Sequence, residues 1–544
     1  MSSAAEGMRP RGYGRRRAAC LALVYLLMVA HFVHWRVAGR TLAPLEVSET
    51  MHTLELGIVT AGFLLMAAAV ASVALFGRFF CSWGCHILAL EDLCAWALRK
   101  VGIRPKPVRS RLLLLVPPVA ALYMFGWPQL SRWIEGAPAP PLHLATDAEG
   151  WASFVTEEYW RSMPGVTISI LTLAVCGFAI VYFLGTRSFC TYVCPYGAVF
   201  AAADRFALGR IVQVGDCTGC GKCTAACRTN IRVHEELIQF GRVVTPACLK
   251  AMDCVAACPT ESIRYGFARP AFFRSWRTHG RFGVPYDFTP SEDLLLLGLF
   301  VLGLAVFRGL YHAVPFLLAM ALAVLLGFLV LTAIRLARSP NVRLVPFQLK
   351  IHGRMTVAGR VFLGSTAVLA ALTAHSGVVR YHEIAGGRAY DRVSEAVAHG
   401  GPAASPSLDA ALAHYDACVR LGLVRPLELD RRLASLHVSS GDPAGAEPFV
   451  RRVLDRTPGD AEWRITLAAI LLTRNAVDEA VLALRAATAS PSPQLRAAAH
   501  EMLAEIRLAE ARPEEAVREY EAALDAWPES PRARAGLAGL GVSK

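Results

Sequence analysis

Charge is scarce in this sequence: 18% of its 544 residues are charged, against 54% hydrophobic. That imbalance excludes an ordinary soluble protein of several domains and points to membrane spans. No catalytic acid–base constellation, phosphate-binding loop or nucleophile motif stands out. The apolar run near the N-terminus ends in "HFVHWR" without a small-residue cleavage site, so it reads as an uncleaved first span and not as a secretory signal. Acidic residues are missing altogether from 335–360, and cysteine is missing from the loops assigned below to the outer face. A disulfide framework is thereby excluded.

What the sequence does have is long apolar runs, at about 18–36, 56–76, 112–130, 165–184, 293–311, 313–334 and 359–378, each near the roughly 20 residues that cross a hydrocarbon core. Seven spans are expected, the third interrupted by Pro117 and Pro118. The net charge of +13 is distributed by loop, as membrane orientation requires, and does not indicate nucleic acid. Arg9, Arg11 and Arg15 to Arg17 precede the first span, and Arg78, Arg99, Lys100, Arg104, Lys106, Arg109 and Arg111 follow the second. Opposite them, Glu46, Glu49 and Glu55 follow the first span, and the loop at 131–164 carries Glu135, Asp147, Glu149, Glu157 and Glu158. This alternation predicts a cytoplasmic N-terminus and an outer C-terminus, in a bacterial inner membrane.

Of fifteen cysteines, eleven fall in clusters, and every clustered one maps to the cytoplasmic side. "CTGCGKCTAAC" holds Cys217, Cys220, Cys223 and Cys227 at the spacing of a bacterial ferredoxin, and "CLKAMDCVAACP" repeats it with Cys248, Cys254 and Cys258, Ala251 standing where the second cysteine would be. The fourth cysteine of each run ligates the other cluster. Cluster one then takes Cys217, Cys220, Cys223 and Cys258; cluster two takes Cys227, Cys248 and Cys254 and is one ligand short. A zinc ribbon is the competing reading. Cluster two is open between a 3Fe-4S form, a 4Fe-4S form completed by water or an oxygen such as Asp253, and an empty remnant.

Two C-x3-C pairs, Cys81/Cys85 in "FFCSWGCHILAL" and Cys190/Cys194 in "SFCTYVCPYGAV", each follow an apolar span and look like two copies of one device. Spacing of one helical turn would aim both sulfurs of a pair to one face at the membrane surface. Four together would hold a further iron-sulfur or other thiophilic metal centre; redox-active or structural thiols remain the alternative. The isolated Cys20, Cys94, Cys176 and Cys418 read as apolar fillers.

On Cys81/Cys85, Cys190/Cys194 with Pro195, and the ferredoxin cysteines, the chain resembles the NapH/NosR/RdxA (CcoG)-type membrane ferredoxins over roughly residues 18–375. The resemblance implies electron transfer between the quinone pool or a cytoplasmic donor and a periplasmic acceptor. Three positions depart from the pattern: His86 replaces the proline after the first C-x3-C, Ala251 removes a ligand, and Arg228 follows Cys227 where proline is common.

His31, His34, His52, His312 and His375 map to outer span ends or outer loops, where imidazoles could accept quinol protons or bind metal. Beyond 380 the composition turns to Ala, Arg, Glu and Leu with a period near 34. Ala411, Ala446, Ala480 and Ala516 are followed at +4 by Tyr415, Val450, Leu484 and Tyr520 and at +7 by Cys418, Val453, Ala487 and Ala523, while Pro458 and Pro528 close two repeats. The pattern is similar to tetratricopeptide repeats.

The expected fold is thus an α-helical polytopic membrane protein with an inserted α+β two-cluster ferredoxin module and a C-terminal all-α repeat solenoid. Its segments are a basic N-terminus 1–17, spans one to four over 18–214, the ferredoxin at 215–268, a linker with spans five to seven over 269–378, and a periplasmic repeat domain 380–544. The expected function is an iron-sulfur electron relay whose repeats dock a periplasmic protein. Any enzyme activity would be quinol dehydrogenation or metal reduction; an assembly or regulatory factor for a respiratory metalloenzyme is the alternative.

Overall fold

The computed structural model describes residues 12–105, 107–147, 150–159, 165–229, 231–272, 286–344, 346–399 and 406–542. Arg9, Arg11, Lys106 and Glu149 lie outside the described residues. The chain divides into two compact units: residues up to Arg308 with Val314–Thr373, and Gly309–Ala313 with residues from Ala374 onward.

In the first unit the apolar runs are helices. Among the described residues six helices are long and apolar enough to cross a membrane: Tyr13–Ala38, Leu113–Ile134, Val166–Leu184, Pro290–Phe307, Phe316–Arg338 and Val357–Ala398, the last continuing into the second unit. The remaining expected span, Ala61–Phe76, has 16 residues, about 24 Å of helix, and is shorter than the others. Pro117 and Pro118 do not break the third helix. They sit in the first α-helical turn, where an absent N–H leaves nothing unpaired.

Pro290–Phe307 starts with a capping box in which Thr289 and Glu292 satisfy each other's backbone N–H groups. It packs closely on Phe316–Arg338: a Cβ on Gly303 would stand 3.0 Å from Ala323 Cα, so glycine is what lets the backbones approach. Glu292 and Arg335 close the hairpin at one end, 2.7 Å apart. The acid-free stretch after this hairpin forms a three-stranded antiparallel sheet, Val342–Leu344, Phe347–Ile351 and Arg354–Met355.

The ferredoxin module is framed by two antiparallel strands, Gly209–Gln213 and Ile263–Phe267, with Gly209 opposite Phe267 and Gln213 opposite Ile263. Between them lie the short helices Lys222–Ala226, Val233–Phe240 and Asp253–Ala256.

The second unit is a run of helices from Pro406–Leu421 to Pro531–Gly539. The 34-residue periodicity marks its core: Ala411, Ala446, Ala480 and Ala516 are each 0% exposed. Their +4 and +7 partners are buried as well. Small residues at these positions let the second helix of each pair lie close to its neighbours.

Candidate iron-sulfur sites

The eleven clustered cysteines form three groups. Cys217, Cys220, Cys223 and Cys258 line one concavity of about 300 Å³, together with Leu237, Pro259 and Ile263. Four thiols facing one hollow are the donor set an iron-sulfur cluster requires. Cys220 is exposed, so this group faces solvent. The second group is deeper: Cys248 and Cys254 are buried, and Cys227 is near enough for its charge to act on both. Burial pushes both buried thiols above their ordinary value, so ligation as thiolates needs a positive partner such as bound iron. This grouping has the crossed composition expected from the spacing. Among the described residues no three His, Cys, Asp or Glu side chains converge tightly enough to hold a single metal ion.

Cys81, Cys85, Cys190 and Cys194 form the third group, packed in one core with Met66, Val73, Leu88, Tyr196 and Phe200. Two expectations about them change. Neither pair occupies one continuous helical turn. Cys81 lies in the helix Phe79–Trp83, while Cys85 is the N-cap of His86–Lys100; Cys190 lies in Ser188–Tyr192, while Cys194 is the N-cap of Pro195–Asp204. The backbone leaves the helix at Gly84 and at Val193.

Nor do the pairs lie level with the helix ends. The Tyr25 hydroxyl donates to the His86 carbonyl at 2.9 Å, and Tyr25 is about 18 Å along the 26-residue helix Tyr13–Ala38. Tyr196 lies 5.9 Å from Phe125, midway along Leu113–Ile134. The thiol pocket is therefore level with the middle of the long helices. His86–Lys100 folds back among them, approaching so closely that a Cβ on Gly177 would stand 2.9 Å from Cys94 Sγ.

Sequence reasoning missed the charged residues that serve these groups. Each C-x3-C copy is preceded at −3 by a buried arginine, Arg78 and Arg187, a shared R-x2-C-x3-C spacing that the sequence does display. Arg78 hydrogen bonds to Cys81 and donates to the Pro246 carbonyl at 3.2 Å. Arg17 and Arg78 were counted among surface loop charges and are 4% and 6% exposed. Buried Glu91 accepts hydrogen bonds from Cys190 Sγ at 3.2 Å and from the Phe189 N–H at 3.1 Å. Asp204, fully buried, pairs with Lys250 at 2.7 Å and Arg210 at 3.4 Å.

Asp253 lies in a buried charge network. Its carboxylate is shared by Arg17 at 3.2 Å and by Arg187 and Arg228, each at 3.6 Å. Asp92 takes the same three arginines, at 3.1, 3.9 and 2.9 Å.

The second and third groups adjoin. Leu249 packs in the C-x3-C core while its neighbour Cys248 belongs to the ferredoxin core. Trp83, between Cys81 and Cys85, donates its indole N–H to the Lys250 carbonyl at 3.2 Å.

The five candidate histidines do not share one site among the contacts described. His31 bonds the Leu42 carbonyl at 2.7 Å, His34 the Thr41 hydroxyl at 2.9 Å, and His52 stacks on Trp151 with ring centroids 3.7 Å apart. His312 and His375 belong to the second unit, where His312 has Arg432, Glu383, Glu428 and Arg380 around it. Of the isolated cysteines, Cys94, Cys176 and Cys418 are buried as fillers should be, and Cys20 is exposed on its helix.

These features are ferredoxin-type cysteine runs set among long apolar helices. The chain matches the 4Fe-4S dicluster domain over residues 209–259, the 4Fe-4S binding domain over 58–104 and 166–212, and tetratricopeptide repeats over 437–506 and 501–542. The two 58–104 and 166–212 matches each enclose one C-x3-C pair. Among curated proteins it is similar to the methylamine utilization ferredoxin-type protein MauN of Methylobacillus flagellatus, at 27% identity over 31% of this chain and 52% of that protein. It is also similar to the putative electron transport protein YccM of Escherichia coli, at 26% over 39% of this chain and 57% of YccM. The regulatory protein NosR of Stutzerimonas stutzeri is 26% identical over 42% of this chain and 31% of NosR. The chain thus spans about half the length of the first two relatives. Together these matches show 4Fe-4S domains, with 4Fe-4S clusters as their cofactors, and tetratricopeptide repeats in this chain, and a similarity to ferredoxin-type proteins that include NosR.

Proposed function

We propose that the protein relays electrons between a membrane-embedded thiolate centre and its ferredoxin module, linking the quinone pool or a cytoplasmic donor with a periplasmic acceptor. The observation that carries this reading is the meeting of Cys81, Cys85, Cys190 and Cys194 in one buried pocket whose wall includes Leu249, next in the chain to Cys248. Bound iron-sulfur clusters supply one-electron chemistry at such sites. The protein's part is to bury the inner cysteines, hold them against one another through the paired helix breaks, and leave the Cys217, Cys220, Cys223 and Cys258 group open to a soluble partner. If the four C-x3-C cysteines share one centre, Cys81→Ser and Cys190→Ser each remove the same spectroscopic signal and leave the ferredoxin signals intact. Separate losses, or no loss of metal, would refute the shared centre.

The topology we propose has seven spans, a cytoplasmic ferredoxin and a periplasmic repeat solenoid that docks a protein partner. A pairing between loops of like assignment supports it: Thr41 pairs with Thr156, both in loops assigned outside, and Ile58, at the start of the second apolar run, bridges to His143 in the same outer loop. A reporter active only in the periplasm should give signal when fused after residue 542 and none when fused at residue 270. The reverse pattern would overturn the topology.

A further inference from the structure

The three-cysteine group is short of a thiolate, and the charges around it are out of balance in the opposite sense. Arg17, Arg187 and Arg228 converge on two carboxylates, Asp92 and Asp253. Glu91 lies near Arg187 and Arg99 lies near Asp92 and Asp253, so four arginines meet three carboxylates and one positive charge is left over. Two of the arginines are deeply buried. Arg17 and Arg187 side chains are 5% and 2% exposed, and Arg187 Nε and Nη2 have no hydrogen-bond acceptor. Arg187 also holds a left-handed backbone, φ 64°, which a non-glycine residue adopts only where its surroundings impose it. An unbalanced buried cation is costly unless a counter-charge accompanies it.

The network is built at the positions that depart from the ferredoxin pattern. Arg228, in place of the usual proline, follows Cys227 and reaches Asp92 at 2.9 Å. Asp253 precedes Cys254, and the carbonyl of Ala251, the position without its cysteine, accepts from Arg17 at 3.2 Å. A bolt that merely fastened the ferredoxin to the helices would work with equal numbers of charges. The surplus calls for an anion beside Cys227 and Cys254, and an iron-sulfur cluster with thiolate ligands is one.

We propose that the Arg17, Arg187, Arg228, Asp92 and Asp253 network is the counter-charge of the cluster held by Cys227, Cys248 and Cys254, and that it sets that cluster's reduction potential above that of the four-cysteine cluster. Reduction adds one negative charge, which nearby cations favour, and one thiolate fewer acts in the same direction. The arginines are positioning residues: they act on the cluster's charge and need not touch iron. The inference rests on the reading that these three cysteines hold a second cluster.

The test is a redox titration followed by electron paramagnetic resonance on anaerobically purified full-length protein. Arg228→Gln alters the most exposed arm of the network, so the fold should survive it; it should shift the three-cysteine cluster to lower potential and leave the four-cysteine cluster where it was. Arg228→Lys, which keeps the charge, should retain the native midpoint, and Asp92→Asn should shift it upward. An unmoved midpoint in both Arg228→Gln and Asp92→Asn, or equal shifts in both clusters, would overturn the inference. A Cys248→Ser protein that loses no iron would instead overturn the second-cluster reading itself, and the two failures are separately visible.

Discussion

The two halves of the ferredoxin module began as near-copies in sequence and ended in opposite surroundings. The first half keeps all its cysteines, and its group opens to solvent through Cys220. The second half has lost one cysteine at Ala251, and its loop is wedged among helices, with Lys250 1% exposed and Cys248 8%. Both C-x3-C copies reach that loop, Arg78 through the Pro246 carbonyl and Arg187 through Asp253. On the proposed relay, the exposed half would meet a soluble partner and the buried half would exchange electrons with the thiol pocket. Side chains that would be spent on solvent in a free ferredoxin are spent here on buried ion pairs.

If that contrast is right, the buried half is the fragile one. Asp204→Asn leaves Lys250 and Arg210 as buried cations without their carboxylate and should destabilise the protein by about 3–5 kcal/mol. Thermal denaturation followed by loss of cluster absorbance measures it. A smaller change is expected from Ala251→Cys, which restores the full ligand run: stability should hold, while the second cluster gains a thiolate and moves to lower potential. A three-iron signal in the native protein should then convert to a four-iron signal in electron paramagnetic resonance. The smallest effect belongs to the exposed half. Glu235→Gln removes the partly exposed pair with Arg232 and should cost no more than about 1 kcal/mol by the same denaturation measurement. Equal losses from Asp204→Asn and Glu235→Gln would dissolve the contrast between the halves.

How much of this was legible beforehand follows from what spacing can encode. Cysteine spacing within one run is a local property, so the nearness of Cys217, Cys220 and Cys223 was readable from the chain, and the structure sets Cys258 of the other run beside them. The repeat alanines were readable for the same reason, since period and burial are tied by helix geometry. Depth was not. Apolar content predicts that Ala61–Phe76 is a helix, but nothing local says that His86–Lys100 folds back until Cys85 is level with Tyr25. The arginines misled because a loop charge counted for orientation looks the same whether it is solvated or, like Arg17 and Arg78, buried. Asp92 and Asp253 lie far apart in the chain and become partners of the same arginines only through packing. The three departures from the family pattern were visible as oddities; that two of them, Ala251 and Arg228, belong to one network required the contacts.

The most direct test of the relay is rapid mixing of anaerobic full-length protein with a quinol analogue, followed at cluster wavelengths, in native and Cys190→Ser protein. The account predicts that quinol reduces the ferredoxin clusters of the native protein, that Cys190→Ser blocks this reduction, and that a soluble low-potential reductant still reduces the ferredoxin clusters of both. Ferredoxin clusters that quinol reduces equally well in Cys190→Ser, or in neither protein, would contradict it.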